Sequence, residues 1–341
     1  MQTTTLRDGV RDRVRGAYSF FMLGDALGAP HEFYKWNRDT VYTGKLQIEP
    51  YRIQMYGKEI RQPIGSVTDD TQMTMCLTQS IVQVGDYDRE AVALSYMAWV
   101  ATKPNDLGSN TRFIFGNKTM KGYCSRVNAK KEKIKAGEMT PSYANGPLMR
   151  CLPLALLPDW DTVCRVDTTL SNPHTICRHA VHAYLSVLRS LLHGNSVQDS
   201  IYTITDVPFH GEVSLAIKQA VMGEHRDISG KDKGLITHAL YCSIRALLLV
   251  DGGMSPESAL EWVITQGTQT GKGDTDTNAA ISGALIGAHL GFDSLMSSKR
   301  TARNWKILVR TAQQVDPNKL AYVPYDFDTQ IDAYLDTVAA L

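Results

Sequence analysis

Three short segments concentrate oxygen-bearing side chains: Gly24-Asp25-Ala26-Leu27-Gly28-Ala29-Pro30-His31-Glu32, Gly65-Ser66-Val67-Thr68-Asp69-Asp70-Thr71, and Gly271-Lys272-Gly273-Asp274-Thr275-Asp276-Thr277-Asn278. All three read as turn-like. The last two share a form: glycine, a dense Asp/Thr cluster, then a helical pattern. Neighbouring carboxylates repel, so Asp69 beside Asp70, and Asp274 near Asp276, need compensation from a cation or from solvent. Neither cluster holds a Cys or His, and carboxylate plus hydroxyl donors suit Mg²⁺, Mn²⁺ or Ca²⁺ rather than zinc. Helix capping is the competing use. Asp69-x-x-Gln72 has capping-box spacing, and Asp276 or Thr277 could cap the helix that follows. The two uses are compatible, because both exploit a helix start.

Register tests two other motifs. As an EF-hand loop beginning at Asp274, the third cluster has Ala279 where the turn glycine belongs and Leu285 where the bidentate glutamate belongs. As a P-loop, it is one residue short before Gly271-Lys272, and Gly273 stands where Ser or Thr should follow the lysine. Neither motif holds.

The elements that must position these groups are helical. Val10, Val14, Ala17, Tyr18 and Phe21 fall on one face of a first amphipathic helix. Another helix runs from Thr71 through Val84 and stops at Gly85. Val181, Tyr184, Leu185, Leu188, Leu191 and Leu192 stripe a helix over Cys177 to His193, ended by Gly194. His238 to Val250 and Pro256 to Gln266 read as two more, separated by Gly252 and Gly253. The stretch Asn278 to Leu290 is built from small residues, which lets neighbouring helices approach closely and places it at the centre of a bundle. Period-two patterning is confined to short pieces near Val41 to Ile48. Length alone, 341 residues at roughly 150 per domain, suggests about two domains. The chemistry-bearing segments, however, are scattered from residue 24 to residue 278, so a single compact all-α multi-helix domain over residues 1–341 is expected.

Composition removes whole classes of partner. Lys plus Arg total 36 against 35 Asp plus Glu, a net charge of +1, so no global field points to nucleic acid or a membrane surface. The basic run from Lys118 to Lys135 has few aromatics and reads as a solvated loop and helix. The six cysteines, with no C-x-x-C pair, read as reduced and mostly buried, which favours the cytoplasm. Arg7 to Arg15 before an apolar run resembles a signal peptide, but Asp8, Asp12 and Asp25 break that pattern. No stretch approaches the ~20 apolar residues of a membrane span. His174, His179 and His182 cluster at a helix start and read as partly buried histidines, with His174 the one nearest a cleft.

Taken together, G-D-A-L-G-A with Glu32, G-S-V-T-D-D-T over Gly65 to Thr71, and G-D-T-D-T-N-A-A over Gly273 to Ala280 resemble the signature blocks of the ADP-ribosylglycohydrolase family. Two further blocks fit, Asp106-Leu107-Gly108 with Thr111, and Asn145-Gly146-Pro147-Leu148-Met149-Arg150. The blocks follow family order across roughly residues 11 to 295. The resemblance implies a compact all-α domain with two Mg²⁺ (or Mn²⁺) ions at the base of an ADP-ribose cleft. It implies Thr68, Asp69, Asp70, Asp274, Asp276 and Thr277 as metal ligands, Asp276 bridging. Glu32 matches an acidic residue beside the metals, and Asp106 one facing the ribose or leaving group. Asn145 and Gly146 match a loop around the distal ribose and diphosphate, with Gly108 and His174 also expected at the substrate.

The activity so implied is hydrolytic removal of ADP-ribose from a modified protein side chain, most naturally arginine. In that expectation metal-bound water attacks the anomeric carbon, with Glu32 or Asp70 as base and Asp106 at the leaving group. Serine-linked ADP-ribose, an ADP-ribose ester, or non-catalytic ADP-ribose binding are the alternatives, the last including an immunity role that occludes a toxin. The expected partner is an ADP-ribosylated protein, with an ADP-ribosylating toxin or transferase as a second. The chain departs from the family pattern at Ala144, where serine is usual, and at Lys272, which adds a positive charge beside the third cluster.

Overall fold

The computed structural model describes residues 2–32, 47–55, 57–140, 142–266 and 273–341. In chain order, a long helix Gln2–Glu32 leads to an antiparallel hairpin, Tyr51–Met55 with Lys58–Gln62, in which Ile53 pairs with Ile60. Helices Asp69–Val84, Arg89–Ala101, Ser109–Phe115 and Met120–Lys135 follow, then short turns from Gly146 to Leu156. Trp160–Thr168, Thr175–Leu192, Val197–Thr205, Gly211–Met222, Ile236–Asp251 and Pro256–Thr265 build the middle of the chain. Thr275–Leu290, Phe292–Met296, Lys299–Ala312 and Phe327–Ala340 complete it. The all-α expectation holds, with the hairpin as the one sheet among the described residues. The period-two stretch expected near Val41 to Ile48 lies mostly outside them, as does Lys272.

The first helix differs from its expected form. It is not a surface helix with one wet face, because nearly every residue from Val14 to Pro30 is buried. The Gly24–Glu32 segment is correspondingly its last turns, not a loop. Pro30, which removes a backbone donor, precedes its end at Glu32.

Its partner is the small-residue helix Thr275–Leu290, and their backbones touch. The contact steps antiparallel by one turn: residue 16 against 287, 20 against 283, 24 against 279, and 28 against 275. A Cβ on Gly24 would stand 2.3 Å from the Ala279 carbonyl oxygen, on Gly28 2.4 Å from that of Thr275, and on Gly287 2.1 Å from that of Gly16. None of these distances admits a methyl group. Glycine at these positions gives up helix propensity to let two helices meet main chain to main chain.

The boundaries of the other expected helices shift by a few residues, and the caps explain how. Thr68, not Asp69, is the N-cap of Asp69–Val84, its hydroxyl accepting from Asp70 N, and Gly85 closes that helix at φ 86°. Asp274 holds the N-cap position of Thr275–Leu290, so Asp276 and Thr277 lie inside its first turn instead of capping it. The carboxylates of both clusters therefore sit at helix N-termini, where backbone N–H groups favour negative charge.

Behind the clusters, Arg150 is buried and fully occupied. Its Nε meets Asp167 Oδ2 at 3.1 Å, its Nη1 reaches Ser171 Oγ at 3.0 Å, and its guanidinium lies over the Tyr96 ring. Among the described residues no helix is long and apolar enough to cross a membrane. Five cysteines are buried and Cys124 is exposed, all with free thiols.

The glycine contact predicts opposite outcomes for one substitution at two positions of the same helix. Gly24→Ala should lower stability by about 1–3 kcal/mol through overpacking. Gly9→Ala, exposed and with nothing near its would-be Cβ, should raise it by about 0.5–1 kcal/mol. Urea denaturation of the two variants reads both signs.

Candidate metal centre and active site

The helix contact brings the end of the first helix to the start of the small-residue helix. Thr275 Oγ1 donates to Gly28 O at 2.9 Å, and carboxylate oxygens of Glu32, Asp274 and Asp276 lie within 4.8 Å of one another. Among the described residues, these three acids form a group that could hold a metal ion. It unites the first and third clusters and includes Glu32, which the resemblance had set beside the metals rather than among their ligands.

The second cluster joins through hydroxyls. Asp70 Oδ2 accepts from Thr68 Oγ1 at 3.1 Å and from Thr277 Oγ1 at 3.2 Å, so one carboxylate ties two helix starts together. Asp69 Oδ2 accepts from Gly108 N at 3.1 Å, which draws the Asp106-Leu107-Gly108 turn in. Asn145 Nδ2 donates to Asp274 Oδ2 at 2.8 Å. Gly146 opens on free space, since a Cβ there would meet nothing within 4 Å. His174 has no hydrogen bond to the acids. Its ring meets Tyr143 edge-on at 5.5 Å, and its buried Nε2 has no partner. The other two histidines are divided between separate partners: His179 Nδ1 accepts from His210 N at 2.7 Å, and His182 Nε2 meets Asp161 at 2.8 Å.

Three residues here carry roles that sequence reasoning missed. Asp25 is buried in the first helix and accepts from Thr68 N, from Thr71 N at 3.2 Å, and from Thr71 Oγ1 at 2.5 Å. It thus serves as a remote cap for the helix that carries Asp69 and Asp70. Its signal in the sequence is a carboxylate interrupting an apolar helix face. Lys233 Nζ meets Glu32 Oε1 at 2.6 Å, and its Lys-rich turn carries no motif. Tyr51, on the hairpin, is buried where the field of Asp106, Asp25, Asp276 and Glu32 pushes its phenol up further than burial alone does.

Electrostatics state what the centre lacks. Burial first, and then mutual repulsion, push the carboxyls of Asp70, Asp106 and Asp276 well above the usual range. Asp69 rises to about 7 against the pull of the Gly108 N–H, and Asp25 to about 6 against its four hydrogen bonds. Glu32 is raised by burial and by Asp274, with Lys233 opposing. Asp70 Oδ1 is a buried acceptor with no hydrogen-bond partner among the described residues. Crowded, desolvated oxygen donors with one orphaned acceptor fit a hard divalent cation, which would reverse every one of these shifts. Among the described residues, no sulfur or imidazole ligand joins the group.

Two antiparallel core helices that meet through glycine, with helix starts that converge carboxylates, make the protein an acid-lined, all-α scaffold. The chain belongs to the ADP-ribosylglycohydrolase family, which it matches over residues 6–318. It is 25% identical over 326 residues to an ADP-ribosyl-dinitrogen-reductase glycohydrolase of Rhodospirillum rubrum, covering 90% of this chain and 95% of that one. An ADP-ribosylarginine hydrolase of Pseudomonas putida is 29% identical over 147 residues, 42% of this chain and 36% of that one. A solved structure, an ADP-ribosylglycohydrolase-related protein complex, shares the fold at TM-score 0.63 and 21% identity, covering 92% of this chain and 98% of that chain. The protein is an enzyme of this hydrolase family, acting on ADP-ribosylated substrates.

Divalent cations should therefore stabilise the folded chain. At about a hundredfold excess over its dissociation constant, Mg²⁺ or Mn²⁺ should add about 2.7 kcal/mol per site, read as a rise in melting temperature that chelator reverses. Asp276→Asn should remove most of that rise; a cation-induced shift equal to wild type would remove Asp276 from the ligand set.

Proposed function

We propose that this chain hydrolyses the bond between ADP-ribose and an arginine side chain, using two hard divalent cations, Mg²⁺ or Mn²⁺. Thr68, Asp69, Asp70, Asp274, Asp276 and Thr277 are the residues we assign to hold them, with Glu32 at their edge. The observation that carries this reading is the convergence of buried, mutually repelling carboxyls from three distant segments around the unpartnered Asp70 Oδ1. The likeness to an arginine-directed hydrolase adds to it over part of the chain.

When bound, such cations supply binding for vicinal ribose hydroxyls and lower the pKa of water. The remaining work falls to side chains. Hydrolysis adds one water across the C–N bond: its oxygen joins the anomeric carbon, and a proton leaves with the guanidine nitrogen. Glu32 or Asp70 takes the water's proton. Asp106, on the turn that Gly108 ties to Asp69, positions the departing guanidinium. The oxocarbenium-like charge of the transition state is stabilised by the same carboxylates. Asn145, held by Asp274, and Gly146, with open space before it, receive the ribose and diphosphate together with Gly108. His174 Nε2, buried and unpartnered, is free to bond the nucleotide. The partner in this reading is an ADP-ribosylated protein, and a cytoplasmic site of action agrees with the free thiols.

Release of ADP-ribose from arginine-modified and serine-modified proteins tests it. Arginine-linked ADP-ribose should be released and serine-linked spared, with Asp276→Ala slowing release by about 10²–10³-fold, the scale seen when one charge-stabilising group is removed. Preferential release from serine would redirect the substrate assignment. ADP-ribose binding without release from either would make the chain a binding protein.

A further inference from the structure

Between the hairpin, the Gly65–Val67 turn and the stretch from Leu308 to Val323 lies a cavity of about 310 Å³, within the range of small-ligand pockets. It shares Asp106 with the acidic centre, and Tyr51 also lines it. It is distinct from the nucleotide-side groups, for none of Gly108, Asn145, Gly146 and His174 lines it. Its far wall is C-terminal chain that no motif of the sequence explained.

One group in that lining is unpaired. Gln62 is 5% exposed, its Oε1 accepts from Asn105 Nδ2 at 3.2 Å, and its buried Nε2 has no partner among the described residues. Buried amide donors are rarely left unmade, so Gln62 calls for an acceptor from outside the chain. The charged residues lining the cavity are Asp106, Asp316 and Lys319, so carboxylates outnumber cations. An aromatic face, a carboxylate and a free amide N–H form a set suited to a guanidinium followed by a peptide carbonyl.

We infer that this cavity seats the leaving side of the substrate: the modified arginine's guanidinium between Asp106 and the Tyr51 ring, and a carbonyl of its peptide on Gln62 Nε2. The C-terminal stretch then acts as the wall that selects which side chain is released. This rests on the arginine-directed reading above, and it adds Tyr51, Gln62 and Val315 as specificity-determining residues. Water still adds across the same C–N bond, and the freed arginine departs through this cavity while ADP-ribose remains on the opposite partners.

Val315→Trp tests it by filling the cavity from a half-buried wall position. With an ADP-ribosyl-arginine peptide, KM should rise about tenfold or more with kcat changed less than about twofold, while the ADP-ribose Kd by calorimetry stays within about twofold of wild type. Gln62→Leu, which keeps shape and removes the donor, should raise KM about three- to tenfold, the scale of one buried hydrogen bond. It serves as the second variant should Val315→Trp lose its wild-type melting temperature. An active wild type whose KM both folded variants match would overturn the cavity assignment and leave the proposed function standing. A wild type that neither binds ADP-ribose nor releases it from arginine would overturn both.

Discussion

The architecture depends on one contact, the antiparallel meeting of the first helix with Thr275–Leu290 through glycine. Its steps of four residues, 16 to 28 against 287 to 275, keep one face of each helix in register over several turns. At that separation no side chain fits between, so the two backbones act as a rigid unit. The consequence lies at its end, where Gly28 meets Thr275 and Asp276 and the chain runs out of the first helix at Glu32. Residues more than two hundred positions apart thereby share one acidic group. A looser contact would separate Glu32 from Asp274 and Asp276.

From that unit the rest of the centre is tied on by hydrogen bonds to carboxylates. Asp25, inside the first helix, holds the N-terminus of Asp69–Val84 by accepting from Thr68 and Thr71. Asp70 bonds Thr277 across the gap. Asp69 gathers Gly108, and Asp274 gathers Asn145. Asp69, Asp70 and Asp274 thus each carry these structural bonds on one oxygen, Oδ2, whereas Asp25 uses both of its oxygens. Capping and crowding, rival uses of the Asp/Thr clusters on sequence grounds, overlap: Thr68 and Asp274 hold N-cap positions, Asp25 caps from the first helix, and Asp70, Asp274 and Asp276 crowd together.

Crowding carries an electrostatic cost. Burial strips water from these carboxyls and each raises its neighbours, so in the absence of compensation they favour the protonated form. Lys233 offsets part of this at Glu32 from the rim. In the proposed reading, hard cations stand between the anionic substrate and the acidic site. Hydrolysis at an anomeric carbon also builds positive charge, for which an acid-lined floor is the right sign.

Much of the site could be read from sequence because its motifs are local. Thr68-Asp69-Asp70 and Asp274 to Thr277 each lie within one helical turn, where spacing, cap preference and donor chemistry are all short-range properties. The small residues of 278–290 likewise announced a close helix contact. What sequence order could not show is which distant surfaces meet. It did not reveal that Glu32 joins Asp274 and Asp276, or that Asp25 caps a helix forty residues away. Nor did it show Lys233 answering Glu32, or residues 308–323 walling a cavity beside Asp106. The sequence by itself determined the all-α class, several of the main helices and the family. Tertiary packing decided the membership of the centre, because periodicity and capping are set by neighbours in the chain, whereas burial, fields and pairing are set by neighbours in space.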